Sequence, residues 1–352
     1  MKSVSLNDIA ARIGISKYSV SRALTGKPGV SDATRQRVLR VAHEMGYVHA
    51  ALERRAADSG DRPVVLLIPL QDVEDAEFWM GVIAGAVSEA TELGYTFATR
   101  PIDTADDGAR APTTLVQGVI VAGSKARAAL RPYLEAGVPA SLVTYPTPLE
   151  PFDAVHAADW EGGAMVAKHL VELGHERLAY VTEGPEKPSF AARARGFRET
   201  ATAGSGVDVV ELHIDRDEPG LSFERAYAVL AEDGRAPTGL LASTDSIAFA
   251  VAAALGRLGL VVPQDVSLVG FNDAVGSSRF VPKLTTLRIP TVDIGAAAMR
   301  FLHERIEGAR TPARRLEFAP MFVLRESTAG FRAKVDRGAG RVSGGARLEV
   351  GR

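Results

Sequence analysis

Ser16, Lys17, Tyr18, Ser19, Ser21 and Arg22 fall within seven positions and combine the groups that recognise duplex DNA. Arg22 carries a planar fork whose paired N–H donors match the O6 and N7 acceptors of guanine. The serines offer hydroxyls to phosphate oxygens, helped at a helix N-terminus by outward-pointing backbone N–H groups. The surrounding charge has the matching sign. Residues 1–60 hold ten Lys/Arg and five Asp/Glu, a net +5, so the rest of the chain carries −7 of the total −2. A basic head on an acidic body points to a polyanionic partner.

Other chemistries find no foothold. There are no cysteines, so disulfides and thiolate metal sites are excluded. The seven histidines lack metal-ligand spacing, and His169 and His175 read as helix-end residues. No P-loop, no G-x-G-x-x-G after a first strand, no H-E-x-x-H and no G-x-S-x-G is present. An enzyme is therefore not expected, and neither is a cofactor or a metal. The opening MKSVSLNDIAARIG lacks the apolar run of a signal peptide, and no window of about 18 apolar residues offers a membrane span. These features predict a cytoplasmic protein without a membrane partner and count against an exported solute-binding protein.

The recognition residues need a scaffold, and the first fifty residues supply three short helical patterns. Leu6, Ile9, Ala10 and Ile13 lie on one helical face, and Gly14 ends that helix. Ser16 is placed to cap a second helix running to about Leu24. Thr25 to Gly29 reads as a turn, Ser31 as a further cap, and Val38, Val41, Ala42 and Met45 as the stripe of a third helix. A helix-turn-helix needs a small residue in its first helix, a glycine in the turn and an apolar residue where the second packs back; Ala10, Gly14 and Val20 stand there. The second helix would then enter the major groove with its N-terminal residues on base edges.

From Val64 the texture changes. Apolar runs recur at Val64–Pro69, Gly118–Ala122, Ala140–Thr144, Leu178–Thr182, Gly239–Ser243 and Val266–Phe271, with amphipathic stretches such as Phe78–Leu93, Gly162–Leu173, Ser222–Glu232 and Ser246–Leu258 between them. Strands alternating with helices predict parallel sheets, whose buried strands read as continuous apolar runs. The length suits two α/β subdomains.

The head resembles that of the lactose/galactose-repressor family, carried by Asp8–Ala10, the S-V-S-R-A-L-x-G run at Ser19–Gly26, V-S-x-x-T-R-x-R-V at Val30–Val38, and Gly46-Tyr47. Thr25 stands where the family commonly has asparagine. The body resembles it to about residue 330, through G-G-x-x-x-x-x-H-L-x-x-x-G-H-x-R-x-A at Gly162–Ala179, A-R-x-R-G-F at Ala192–Phe197, S-T-D-S-I-A-F-A from Ser243, V-P-Q-D-V-S-L-V-G-F-N-D at Val262–Asp273 and L-T-T-L at Leu284–Leu287. The resemblance implies an all-α helix-turn-helix head and an α/β periplasmic-binding-protein-like body of two parallel-sheet subdomains. It further implies a regulator, read as a repressor, that binds a palindromic double-stranded operator as a homodimer. A small-molecule effector, on the family's habits a sugar, would occupy the interdomain cleft and alter DNA affinity allosterically.

By the same resemblance Arg193 occupies the arginine position that clamps ligand polar groups, and Phe78 and Trp79 match paired aromatics able to stack on a ligand. Ser189 and Thr244 occupy pocket-facing positions. Asn272 replaces a usual aspartate, Asp217 stands where several relatives carry an aromatic, and Thr144 where some carry aspartate. An amide both donates and accepts, so Asn272 keeps the capacity to recognise hydroxyls. Asp245 reads as a helix cap or a hydrogen-bonding group rather than a direct contact.

The expected layout is 1–47 for the DNA-binding head, 48–62 for a hinge, 63–330 for the effector-binding and dimerisation domain, and 331–352 for a disordered Gly/Arg-rich tail. Within the body, about 63–160 and 290–319 form the N-subdomain and about 161–289 and 320–330 the C-subdomain. In the family the hinge inserts a leucine into the minor groove and kinks it; here that position holds Ala56, with Arg54 and Arg55 beside it as phosphate contacts and Leu52 one turn earlier.

Overall fold

The computed structural model describes residues 6–24, 34, 38, 41, 63–69, 76–102, 116–123, 127–143, 152–184, 187–204, 206–308 and 312–331. In the head, α1 (Leu6–Ile13) and α2 (Lys17–Leu24) pack together. Ala10, Ile13 and Val20 are buried, and so is Val38, which like Thr34 and Val41 is helical. Gly14 ends α1 at φ +76, a left-handed conformation that favours glycine, and its N–H reaches the Ala10 carbonyl at 2.9 Å.

The chain divides into two units, Met1–Ala158 with Ile289–Ala319, and Asp159–Arg288 with Pro320–Arg352. In the first, β1 (Val64–Pro69), β2 (Phe97–Ile102), β3 (Gly118–Ala122), β4 (Ala140–Val143), β5 (Asp153–Ala157) and β11 (Arg315–Phe318) form one parallel sheet ordered β11-β5-β4-β3-β1-β2. Alternation along the strands divides its side chains between two helical layers. Val65, Leu67, Val119 and Val121 meet Leu130 and Tyr133 of α4 (Arg127–Glu135). On the opposite face α9 (Thr291–Ile306) lies on β3, β4 and β5 and packs against α3 (Ala76–Glu92). That packing is backbone-close: a Cβ at Gly85 would meet the Val292 carbonyl oxygen at 1.9 Å.

The second unit repeats the plan. Its strands β6 (Arg177–Thr182), β7 (Asp208–His213), β8 (Gly239–Ala242) and β9 (Ser267–Val269) form a parallel sheet ordered β7-β6-β8-β9. Ala179, Val181, Leu240, Ala242 and Leu268 build a core with α7 (Pro219–Glu232) and α8 (Asp245–Arg257). The other face meets α5 (Asp159–Glu172) and α6 (Pro188–Ala201), where Tyr180 lies beside Phe197. A short antiparallel pair, β10 (Thr286–Arg288) with β12 (Met321–Val323), completes the unit.

The apolar runs predicted as strands all form strands, although Thr144 lies outside the described residues and the run from Val266 contributes only three residues of strand. Strands β2, β5, β7, β10, β11 and β12 have no counterpart among those runs. β2, β7 and β11 are half-exposed edges, and β5 buries Asp153 and His156 inside an otherwise apolar strand. The third head helix beyond residues 34, 38 and 41, the hinge and the tail after Phe331 also lie outside the described residues.

Candidate functional site

Two places concentrate chemistry. The first is α2. Ser16 precedes it and caps it, its Oγ accepting from the Ser19 N–H at 3.1 Å and pairing with Ser19 Oγ at 2.9 Å. Val20 anchors the helix with no exposed surface, which turns Lys17 and Tyr18 outward. One turn on, Arg22 donates from Nη1 to Tyr18 Oη at 2.6 Å and lies 5.2 Å from that ring's centroid. A polar, cationic surface is thus set on a short helix with an apolar root. The side chain of Ser21, and residues Arg54, Arg55 and Ala56, lie outside the described set.

The second is the carboxyl edge of the sheet in the Asp159–Arg288 unit. The order β7-β6-β8-β9 reverses its winding between β6 and β8, and ligands of open α/β sheets gather at the strand ends flanking such a point. Thr182 closes β6, its Oγ1 accepting from the Gly184 N–H at 3.3 Å. Ser243 and Thr244 follow β8. Thr244 Oγ1 accepts from the Ile247 N–H at 3.2 Å and caps α8. The cap is thus Thr244 rather than Asp245, which is the first residue of the helix.

Asp245 is buried and accepts from Thr286 Oγ1 and from the Ala274 N–H, both at 2.6 Å. Burial pushes its carboxyl above the ordinary range, against the pull of those bonds. A Cβ at Gly270 would lie 2.1 Å from Asp245 Oδ1, so only glycine leaves space for this carboxylate. Beyond Gly270 and Phe271, Asn272 and Asp273 take φ values of +111 and +58. Two successive left-handed residues other than glycine carry strain and need outside support. The Asn272 N–H bonds the Leu287 carbonyl at 2.8 Å, and the Asp273 carboxylate is held by Arg288 Nε at 2.7 Å and by Arg325 Nη2.

Arg193 is the centre of this edge. Its guanidinium is buried, donates from Nε to Asp159 Oδ1 at 2.6 Å and from Nη1 to the Ser243 carbonyl, and stacks 3.6 Å above Phe271. Phe190 lies 5.0 Å away on α6. Asp159, which no sequence motif singled out, heads α5 and reaches Arg193 because α5 and α6 cross in backbone contact. A Cβ at Gly163 would stand 2.1 Å from the Arg193 carbonyl oxygen. Tyr180, close enough for its phenol to feel both Arg193 and Asp159, has its pKa raised by burial.

Of the remaining expected residues, Ser189 is half-buried in the first turn of α6. Asp217 is exposed in the loop after β7, its N–H on Asp215 Oδ1 at 2.8 Å. Phe78 and Trp79 sit in the first turn of α3, in the other unit, half-buried and edge-to-face at 5.0 Å. Among the described residues no helix is long and apolar enough to cross a membrane, and no His, Asp and Glu cluster could hold a metal ion.

The chain as a whole is similar to known proteins. A family model described as bacterial regulatory proteins, lacI family, matches residues 5–49, and one described as a periplasmic binding protein-like domain matches residues 167–328. The HTH-type transcriptional regulator DegA of Bacillus subtilis is 30% identical over 337 residues, spanning 91% of this chain and 97% of its own. The HTH-type transcriptional regulator MalR of Streptomyces coelicolor is 32% identical over 339 residues, spanning 92% and 96%. Among solved structures, a complex of the transcriptional regulator CelR with cellobiose matches at a TM-score of 0.67 and 26% identity, covering 92% of this chain and 99% of its own. The lac repressor dimer bound to operator matches at 0.64 and 22% identity over 93% and 100%, a likeness of fold.

Proposed function

Because this chain belongs to the lacI family of DNA-binding transcription regulators, we propose that it binds a palindromic operator as a homodimer and releases or tightens on it when a sugar enters the cleft between its subdomains. It is a regulator and not an enzyme, as its relatives are. The reading places it in the cytoplasm, where its operator is.

The observation that carries this reading is α2: a capped helix, rooted by buried Val20, that turns Lys17 and Tyr18 to solvent with Arg22 beside them. Ser16, Lys17, Tyr18, Ser19, Ser21 and Arg22 make the DNA contacts, with Arg54, Arg55 and Ala56 in the hinge. Arg193 and Asn272 hold the effector's polar groups, Phe78 and Trp79 stack on it, and Thr144, Ser189, Asp217 and Thr244 complete its surroundings. The cellobiose held by the CelR structure supports a sugar. Half-site spacing is fixed by the DNA, so a small ligand-dependent shift between two heads is enough to change affinity.

Selection from a random double-stranded DNA pool with the purified full chain tests the proposal. Enrichment of a palindrome of roughly 14–20 base pairs is expected, followed by a change in affinity when sugars are added one at a time. Binding to all sequences alike, with only salt sensitivity, would overturn it.

A further inference from the structure

The pairing of Arg193 with Asp159 has a consequence for the kind of ligand that can reach it. Both side chains are nearly inaccessible, at 5% and 3% exposure. A guanidinium so buried requires a counter-charge, and Asp159 supplies it at 2.6 Å. The fork has little freedom left. Nε is held by Asp159, Nη1 by the Ser243 carbonyl, and the plane lies 3.6 Å over Phe271.

The described charges on the loops around this edge are net negative. The four parallel strands of this sheet end on one edge. The loops leaving β6 and β7 there carry Glu183, Asp215, Asp217 and Glu218 against Lys187 and Arg216. Asp245 adds a buried carboxylate, and Asp273 is engaged by two arginines of its own.

We propose that Asp159 is the positioning and specificity residue of the effector site: it orients Arg193 and cancels its charge, so that the site accepts an uncharged hydroxyl or carbonyl ligand and rejects a phosphorylated or carboxylated one. This rests on Arg193 being an effector contact. The first-turn position of Asp159 on α5 fits the role, since a helix N-terminus favours a negative charge there.

The test uses the full chain, with inorganic phosphate as the anionic probe and the sugar that shifts operator affinity as the uncharged one. Asp159→Asn keeps size and one acceptor but removes the charge. The variant is expected to bind phosphate at least tenfold more tightly than the parent, read as thermal stabilisation at constant ionic strength, and the sugar at least tenfold more weakly. The double variant Asp159→Asn/Arg193→Gln restores neutrality; it should lose the phosphate response and guards against a single variant that does not fold. Equal phosphate responses in parent and Asp159→Asn, or a parent that prefers the phosphorylated form of its sugar, would overturn the proposal. Arg193→Gln separates the two levels. If it abolishes the sugar response while Asp159→Asn changes nothing, the effector site stands and the role of Asp159 fails. If it changes no sugar response, both fail.

Discussion

A β-carbon on Gly196 would stand 1.9 Å from the backbone carbonyl oxygen of Trp160. Helices α5 and α6 therefore touch through their main chains, and Gly163 repeats the contact from the other helix against the Arg193 carbonyl. The crossing is what brings Asp159 at the head of α5 to Arg193 in the middle of α6.

Gly196→Ala should consequently destabilise the protein by about 3 kcal/mol or more, because the atom it strikes is backbone and cannot rotate away. Gly256→Ala is the control. Gly256 is also helical, a Cβ there meets nothing within 4 Å, and the substitution should stabilise by about 0.5–1 kcal/mol through the lost freedom of the unfolded chain. Urea unfolding followed by circular dichroism distinguishes the two, and a harmless Gly196→Ala would refute the backbone crossing.

His175 should make stability depend on pH. The ring is buried between Thr238 Oγ1 at 3.0 Å and Ser267 Oγ at 2.9 Å, and burial holds its pKa below the ordinary histidine value. The unfolded chain then takes up a proton near pH 6.5 that the folded chain resists. Stability is full above that value and falls as pH drops toward the lower folded one, at up to about 1.4 kcal/mol per pH unit. His169 shifts in the same direction and adds to the slope. His175→Gln should flatten the fall in urea midpoint between pH 7 and 5, and a slope unchanged from the parent would remove His175 from this account.

The fold was legible where burial is complete on both faces. Val64–Pro69 and Gly118–Ala122 read as strands because a parallel sheet between helical layers asks for nothing but apolar side chains. It was illegible at β5, where the buried Asp153 is met by Arg305 Nε at 2.7 Å and by the Arg314 N–H at 2.6 Å, partners more than a hundred residues away in sequence. The candidate site divides the same way. The position of Arg193 follows from a local run ending in Gly196-Phe197. Asp159 stands 34 residues earlier, and its role depends on a helix crossing that no local pattern announces.

On α2 the neighbours should separate cleanly. Arg22→Ala is expected to relax discrimination at one base pair of each half-site by about 1–3 kcal/mol. Lys17→Ala should weaken all sequences alike and lower the slope of log K against log salt by about 1. Tyr18→Phe keeps the ring under the Arg22 guanidinium and deletes the oxygen 2.6 Å from Nη1, so it should loosen base preference less than Arg22→Ala does. Fluorescence titrations of the selected operator and its single-base variants at several salt concentrations measure all three. A Lys17→Ala variant with altered base preference would exchange the two roles.

The hinge prediction comes from sequence alone. A side chain wedged between base pairs in the minor groove trades unstacking, a few kcal/mol per step, for protein contact along the bent duplex. Alanine at position 56 ends at its Cβ, too short to wedge open a base-pair step, so the natural protein should bend its operator little. Ala56→Leu restores the wedge. It should increase the bend seen by circularly permuted gel-shift fragments and tighten operators whose central step is a flexible pyrimidine–purine, leaving stiff centres unimproved. Equal bending by the two proteins would mean that Leu52, four residues earlier, already performs the insertion; Leu52→Ala would then abolish the bend.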